Sequence, residues 1–98
     1  MAAYVISELE VLDEQHMHEY RELAAASVAE HGGKYLARSA PAVVVEGAAT
    51  NQKFVIIEFS SMQRAKAWYT SASYARALKI RSKALERRLI FVDGITTV

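Results

Sequence analysis

The chain has no cysteine, one proline and four glycines among its 98 residues. The missing thiols exclude disulfides, thiolate catalysis and cysteine-based metal sites together, and are compatible with a reducing compartment. There is no low-complexity segment and no linker long enough to separate domains, so residues 1–98 are read as one compact domain with a modest core. No apolar stretch approaches the roughly 18 to 20 residues of a membrane span, and no basic segment followed by a long apolar run opens the sequence. The expectation is a soluble, cytoplasmic protein with no membrane contact.

Excess charge of one sign is lacking overall, because the formal net charge is only +1. The halves differ, however: residues 1–50 carry eight acids and three bases, residues 51–98 nine bases and three acids. Most of the bases fall between Arg64 and Arg88 on what reads as a solvent-facing helical surface. Two oppositely charged helices lying side by side on one sheet account for this, and no nucleic-acid partner is expected, since such a surface calls for a higher pI and aromatics interleaved with the bases.

What is present is a clear sequence of elements. Residues Ala3 to Val11 alternate with period two, placing Val5, Leu9 and Val11 on one side and Tyr4, Ile6 and Glu8 on the other. Asp13 is a plausible cap for a helix whose inner face is Met17, Tyr20, Ala24, Val28 and His31, ending at Gly32. Lys34 to Ser39 reads as the second strand, with Val43-Val44-Val45 continuing it after Pro41. Gly47 to Gln52 reads as a loop, and Lys53 to Phe59, β-branched and aromatic, as the third strand. Ser60 and Gln63 suggest a capping box that starts a helix near Ser61. Its buried stripe is Ala65, Trp68, Tyr69 and Ala72, with a weak point at Ser71-Ala72-Ser73. A second helical stripe of Ala75, Leu78, Ser82 and Leu85 precedes a last strand from Arg88 to Asp93.

These elements make βαββαβ, an α+β domain with a four-stranded antiparallel sheet. In the ferredoxin-like order 4-1-3-2, both helical segments cover one sheet face. Val55, Ile57 and Phe59 then face the helices, while Phe54, Ile56 and Glu58 share the open face with Glu8, Lys34, Leu36 and Arg38. That face is too apolar to leave wet, so a homodimer formed through it is expected, its stacked sheets about 10 Å apart and enclosing a pocket for a small molecule. Inside such an interface Glu58 needs a partner, and strand parity nominates Arg38.

Specific blocks add a resemblance to this reading. Tyr20, His31-Gly32-Gly33-Lys34-Tyr35-Leu36-Ala37-Arg38, Val45-Glu46-Gly47, Glu58-Phe59-Ser60-Ser61-Met62 and Ala67-Trp68-Tyr69-Thr70-Ser71, followed by Tyr74 and Arg81, make the sequence similar to the domain of unknown function 1330 family. The resemblance runs from Ala3 to about Gly94. It implies a dimeric α+β barrel of ferredoxin-like topology and brings no established reaction. Related barrel proteins include cofactor-free monooxygenases, isomerases and ligand-sensing domains.

The candidate site residues follow from chemistry. His31, where the first helix gives way to two glycines, reads either as an acid-base group at a pocket rim or as a cap bonding local carbonyls. Glu58 is its expected catalytic partner; Arg38, Trp68, Tyr69 and Tyr74 are the expected substrate-binding residues. Aromatics at the spacing of Trp68, Tyr69 and Tyr74 are far more often core than ligand wall; the functional alternative is a small apolar pocket whose hydroxyls fix a polar group. His16 and His18, two apart on a helix, point in different directions, so no metal site is expected. No cofactor is expected either, because Gly32-Gly33 lacks a phosphate-loop context. Two functions stay open: a cofactor-independent enzyme, oxygenase-like or isomerase-like, or a non-catalytic small-ligand-binding or stress-related dimer.

Overall fold

A computed structural model describes residues 1–95; the last three residues of the expected domain, 96–98, lie outside the described residues. The elements run β1 (Ala3–Val11), α1 (Glu14–Glu30), β2 (Lys34–Pro41), β3 (Lys53–Phe59), α2 (Met62–Tyr69), α3 (Ala72–Ala84) and β4 (Leu85–Asp93). All sheet pairings are antiparallel in the order β2-β3-β1-β4. Read from its other edge this is the expected 4-1-3-2. The two central strands β1 and β3 carry the apolar alternation, and their inward set Ala3, Val5, Leu9, Ile57 and Phe59 is buried under the helices.

Helix α1 begins where the Asp13 carboxylate accepts the His16 N–H at 2.9 Å, as a cap should. It ends at His31, after which Gly32 takes φ +73°, the left-handed turn that glycine adopts without a Cβ penalty. Met17, Tyr20, Ala24, Ser27 and Val28 form its buried face. The Ser27 hydroxyl accepts the Trp68 indole N–H at 3.0 Å and donates to the Ala24 carbonyl at 2.7 Å. Trp68, 2% exposed, thereby satisfies its one donor and locks α2 onto α1.

Four local expectations are corrected. Val43 to Val45 form no strand: Val43 and Val45 are about 90% exposed in a loop, because past Pro41 no neighbouring strand remains to pair with them. The cap of α2 is Ser61 rather than Ser60, its hydroxyl accepting the Arg64 N–H at 3.1 Å. The helical segment does break at the expected weak point, where Ser71 caps α3; this new start rotates the buried stripe to Tyr74, Ala77 and Ala84, leaving Ala75 and Ser82 exposed. Finally, β4 starts at Leu85, three residues before Arg88, and this turns one arginine toward the helices.

The outer sheet face has an apolar row across three strands, Ile56, Ile6 and Ile90 in register, all half-buried. Next to it Glu8 and Arg88 stand opposite each other with 3.7 Å between charged atoms.

Candidate functional site

Between the helices and the sheet lies a cavity of about 40 Å³. Val5 and Leu9 of β1, Val55 and Ile57 of β3, Leu85 and Leu89 of β4, Met17 and Ala24 of α1 and Trp68 of α2 supply its apolar walls. Its polar contributors are Ser7, Tyr20, Arg21, Tyr35, Arg38, Ser39 and Arg87, with no aspartate, glutamate or histidine among them. The lining, mostly apolar with a few placed polar groups, has the composition of a small-molecule site, in a volume well below the roughly 300 Å³ of a pocket for a drug-sized ligand.

Arg87 is the centre of the polar part. Leu85, Arg87, Leu89 and Phe91 share the inward face of β4, opposite Val11, Leu9, Ser7 and Val5 of β1, so the alternation that buries three apolar residues carries one guanidinium inward with them. Its Nη1 donates to the Tyr20 hydroxyl and its Nη2 to the Tyr74 hydroxyl, both at 2.8 Å. The two hydroxyl oxygens are 2.5 Å apart and hydrogen-bonded to each other. Two phenolic protons are available and the Tyr–Tyr bond uses one. Tyr74 is fully buried and lies behind the cavity wall, whereas Tyr20 borders the cavity. The arrangement that strands no buried proton therefore has Tyr74 donating to Tyr20, and Tyr20 presenting its own O–H to the cavity.

Burial pushes the Tyr20 phenol well above its ordinary range, with the adjacent Tyr74 oxygen adding to the effect and Arg87 opposing it. Burial likewise raises Tyr35. For Arg87 burial works against the charged form, but the oxygens of Tyr20 and Tyr74 outweigh it and hold the group cationic. No carboxylate lies within ion-pair distance of Arg87 among the described residues. The site thus combines a fixed positive charge, a protonated phenol and apolar walls.

The second arginine arrives by an irregularity in β2. Tyr35 pairs with Ile57, yet Ala37 pairs with Ile56 and Ala40 with Phe54, two register shifts within six residues. Ser39 adopts φ +52°, the one non-glycine residue with positive φ among those described. Bulges change strand parity and re-aim side chains. Here the change turns Arg38 toward the helix side, where its guanidinium carbon sits 4.6 Å from the Tyr35 ring centroid and the side chain lines the cavity. Ser7, 4% exposed, projects into the same hollow from β1, and its hydroxyl has no hydrogen-bond partner among the described residues.

The residues nominated from sequence are only partly brought together. Arg38 and Trp68 do line one cavity, and Tyr74 supports it from behind. Tyr69 is 37% exposed and stacks at the border against Trp68, Tyr74 and Phe91. His31 donates from Nδ1 to the Ser27 carbonyl at 2.9 Å, the capping arrangement, and borders a shallow surface depression with Ser61, Gln63 and Arg64. Glu58 stands on the outer sheet face beside Tyr4 and Lys34. His31 and Glu58 therefore share no volume, and the expected Arg38–Glu58 pair does not form because the β2 bulge puts the two on opposite faces. The cavity itself lies under the helices and not on the open sheet face. Arg87, the Tyr20 hydroxyl and Ser7 were missed. The available signal was parity: with the last strand begun at Leu85, Arg87 is a base in an otherwise apolar row.

Residues 2–95 match the family described as domain of unknown function (DUF1330). No curated protein matches the sequence. Among solved structures, a protein of unknown function from Rhodopseudomonas palustris is similar with TM-score 0.77 and 16% identity, over 98% of this chain and 84% of that one. A dimeric protein of unknown function with a ferredoxin-like fold from Bacteroides fragilis gives TM-score 0.62 and 16% identity over 95% and 96% of the two chains. SnoaB, a cofactor-independent oxygenase from Streptomyces nogalater, gives TM-score 0.60 and 8% identity over 99% and 96%. At these identities the likeness establishes the ferredoxin-like fold alone. Among the described residues, no helix is long and apolar enough to cross a membrane, and no group of three or more metal-ligating side chains occurs.

Proposed function

The chain belongs to the DUF1330 family, and on that footing we propose that it acts on a small organic molecule held between the sheet and the helices. The chemistry is cofactor-independent and enzyme-like, of the oxygenase or isomerase kind. The observation that carries this reading is the Arg87–Tyr20–Tyr74 cluster at the edge of an apolar cavity. Isomerisation through an enolate and oxygenation of a carbanion by dioxygen both release a C–H proton, here to water, and build negative charge on a substrate oxygen. A fixed guanidinium and a phenol kept protonated by burial stabilise that charge where they meet it. Tyr20 is the group that touches the substrate, Tyr74 positions it, and Arg38 and Trp68 bind. The likeness to SnoaB adds support at the level of fold.

A non-catalytic binding role is the second reading, and the acid- and histidine-free lining of the cavity favours it, since no ordinary general base borders the substrate. Proton exchange separates the two. A set of β-diketones and phenols incubated in D2O is expected to exchange acidic C–H protons faster with the protein than without it, and Tyr20→Phe is expected to abolish the acceleration. Saturable binding without exchange or oxygen uptake would leave only the binding role.

The protein is further proposed to work as a homodimer, in the cytoplasm. The row Ile6, Ile56 and Ile90 on the outer face, flanked by Phe54 and Val92, gives two copies an apolar surface to share. The Bacteroides fragilis neighbour described as dimeric supports the same arrangement. Light scattering after size exclusion is expected to give twice the chain mass at micromolar concentration, and a stable monomer would remove the proposal.

A further inference from the structure

We propose that the molecule held in the cavity is a short-chain carboxylate, its length limited by a cavity of about 40 Å³, bound through Arg87, Arg38 and the Ser7 hydroxyl. The inference deepens the small-molecule reading above and rests on it. Three arginines, Arg21, Arg38 and Arg87, border one small space that contains no acid. Arg21 faces Glu14 at 3.9 Å, but among the described residues neither of the others is in an ion pair. A guanidinium has five N–H donors, and Arg87 uses two of them on the tyrosines. Among the described residues the others have no protein acceptor, although the group is half-buried. Burying a cation without a counter-charge costs stability, and such a cost is retained where a ligand supplies the missing charge.

Ser7 is the independent observation. Its hydroxyl is buried and unpartnered in a row otherwise made of alanine, valine and leucine, where an apolar residue of the same size would be cheaper. It pairs with Leu89 across the β1–β4 ladder, while Arg87 pairs with Leu9. Ser7 and Arg87 are therefore diagonal neighbours on one face, a spacing on the order of 7 to 8 Å with the Cβ atoms somewhat closer. That leaves a gap suited to one bridging group. A planar anion with two oxygens fills it, one oxygen on the Arg87 fork and the other within reach of the serine hydroxyl. Val5, Leu9, Val55, Ile57 and Leu85 on the adjoining walls suit the hydrocarbon part of such a molecule. The second guanidinium is brought there by the β2 bulge and the positive φ of Ser39, an unfavourable backbone state that is understandable if the charge it delivers is used.

The test is a backbone-amide NMR titration of the intact protein with formate, acetate and propanoate, each beside its neutral amide, acids small enough for a cavity of about 40 Å³. At least one acid is expected to bind about tenfold tighter than its amide, a margin that a charge-assisted hydrogen bond supplies. The shifts are expected to centre on Ser7, Val55 and Leu89. Ser7→Ala is expected to weaken the acid about threefold to tenfold without weakening the amide. Arg87→Met and Arg38→Met are expected to erase most of the preference for the acid. The exposed Arg38 gives a variant that keeps the test decisive should Arg87→Met not fold. Equal affinity of acids and amides at the cavity would overturn the carboxylate inference and leave the small-molecule reading standing. Binding of none of the six compounds at the cavity would overturn both, and unchanged preference in Arg38→Met and Ser7→Ala would overturn the assignment of these side chains.

Discussion

Replacing Arg87 by methionine should leave the ligand-free protein nearly as stable as the wild type, whereas Tyr74→Phe, which removes one oxygen, should not. Tyr74 is fully buried; its hydroxyl accepts from the Arg87 guanidinium at 2.8 Å and shares a hydrogen bond with Tyr20. Phenylalanine removes a charge-assisted bond worth about 1.5 to 3 kcal/mol and a neutral one worth about 0.5 to 1.5 kcal/mol, and leaves the cation with less compensation. The expected loss is about 2 to 4 kcal/mol. Arg87→Met also removes two charge-assisted bonds, but with them goes the cost of withdrawing a guanidinium from water, which is several kcal/mol for a fully buried ion and less for this half-buried one. Methionine fills the stem's volume, and the two phenols keep each other. The opposing effects are of similar size, so a net change within about 1 kcal/mol is expected. Urea unfolding followed by circular dichroism, with unchanged denaturant slopes, measures both. An Arg87→Met loss equal to or larger than that of Tyr74→Phe would show that the arginine is a structural strut, and the argument that its charge awaits a ligand would fail.

Two further outcomes follow from the same packing. Gly33→Ala and Gly32→Ala should both destabilise, for different reasons. At Gly33 a Cβ would meet Phe59 Cε1 and Val28 Cγ1 at 2.7 Å, both on side chains about 1% exposed, so overpacking should cost about 1 to 3 kcal/mol; at Gly32 nothing lies within 4 Å and only φ +73° resists, costing about 1 to 2 kcal/mol. A Gly33→Ala variant of wild-type stability in thermal unfolding would contradict the packing of β3 against α1. Alkaline pH should unfold the protein. Tyr20 and Tyr35 titrate above their ordinary value of about 10 in the folded state, so above that pH the unfolded chain holds fewer protons than the folded one. Their contribution is fully present below about pH 10 and is lost as pH rises through the folded-state values, so Tyr20→Phe should flatten the decline, and an identical slope in that variant would refute the assignment.

The contrast between what the sequence discloses and what it hides has a physical origin. Strand order, helix faces and the break at Ser71 follow from periodicity and capping, which depend on neighbours within a few residues. Both central strands were legible because one face of each is buried, and a slip of one residue would turn that whole face outward. The site depends on departures from the same rules. Arg38 reaches the cavity only because β2 abandons strict alternation after Tyr35, and no local pattern in Leu36-Ala37-Arg38-Ser39 announces a bulge that pairing with β3 imposes. Arg87 was readable in principle, but only once β4 is begun at Leu85, and propensity gives a helix end and a strand start no sharp boundary there. Ser7 breaks an apolar row by one hydroxyl, a signal that becomes informative only when the space in front of it is known to lack a partner. His31 shows the reverse case. Its position at a helix end is conspicuous, yet its Nδ1 is already occupied by the Ser27 carbonyl, so the titratable group that stands out most belongs to the helix terminus. The charge aimed at a ligand belongs instead to arginines that strand parity and one bulge turn inward.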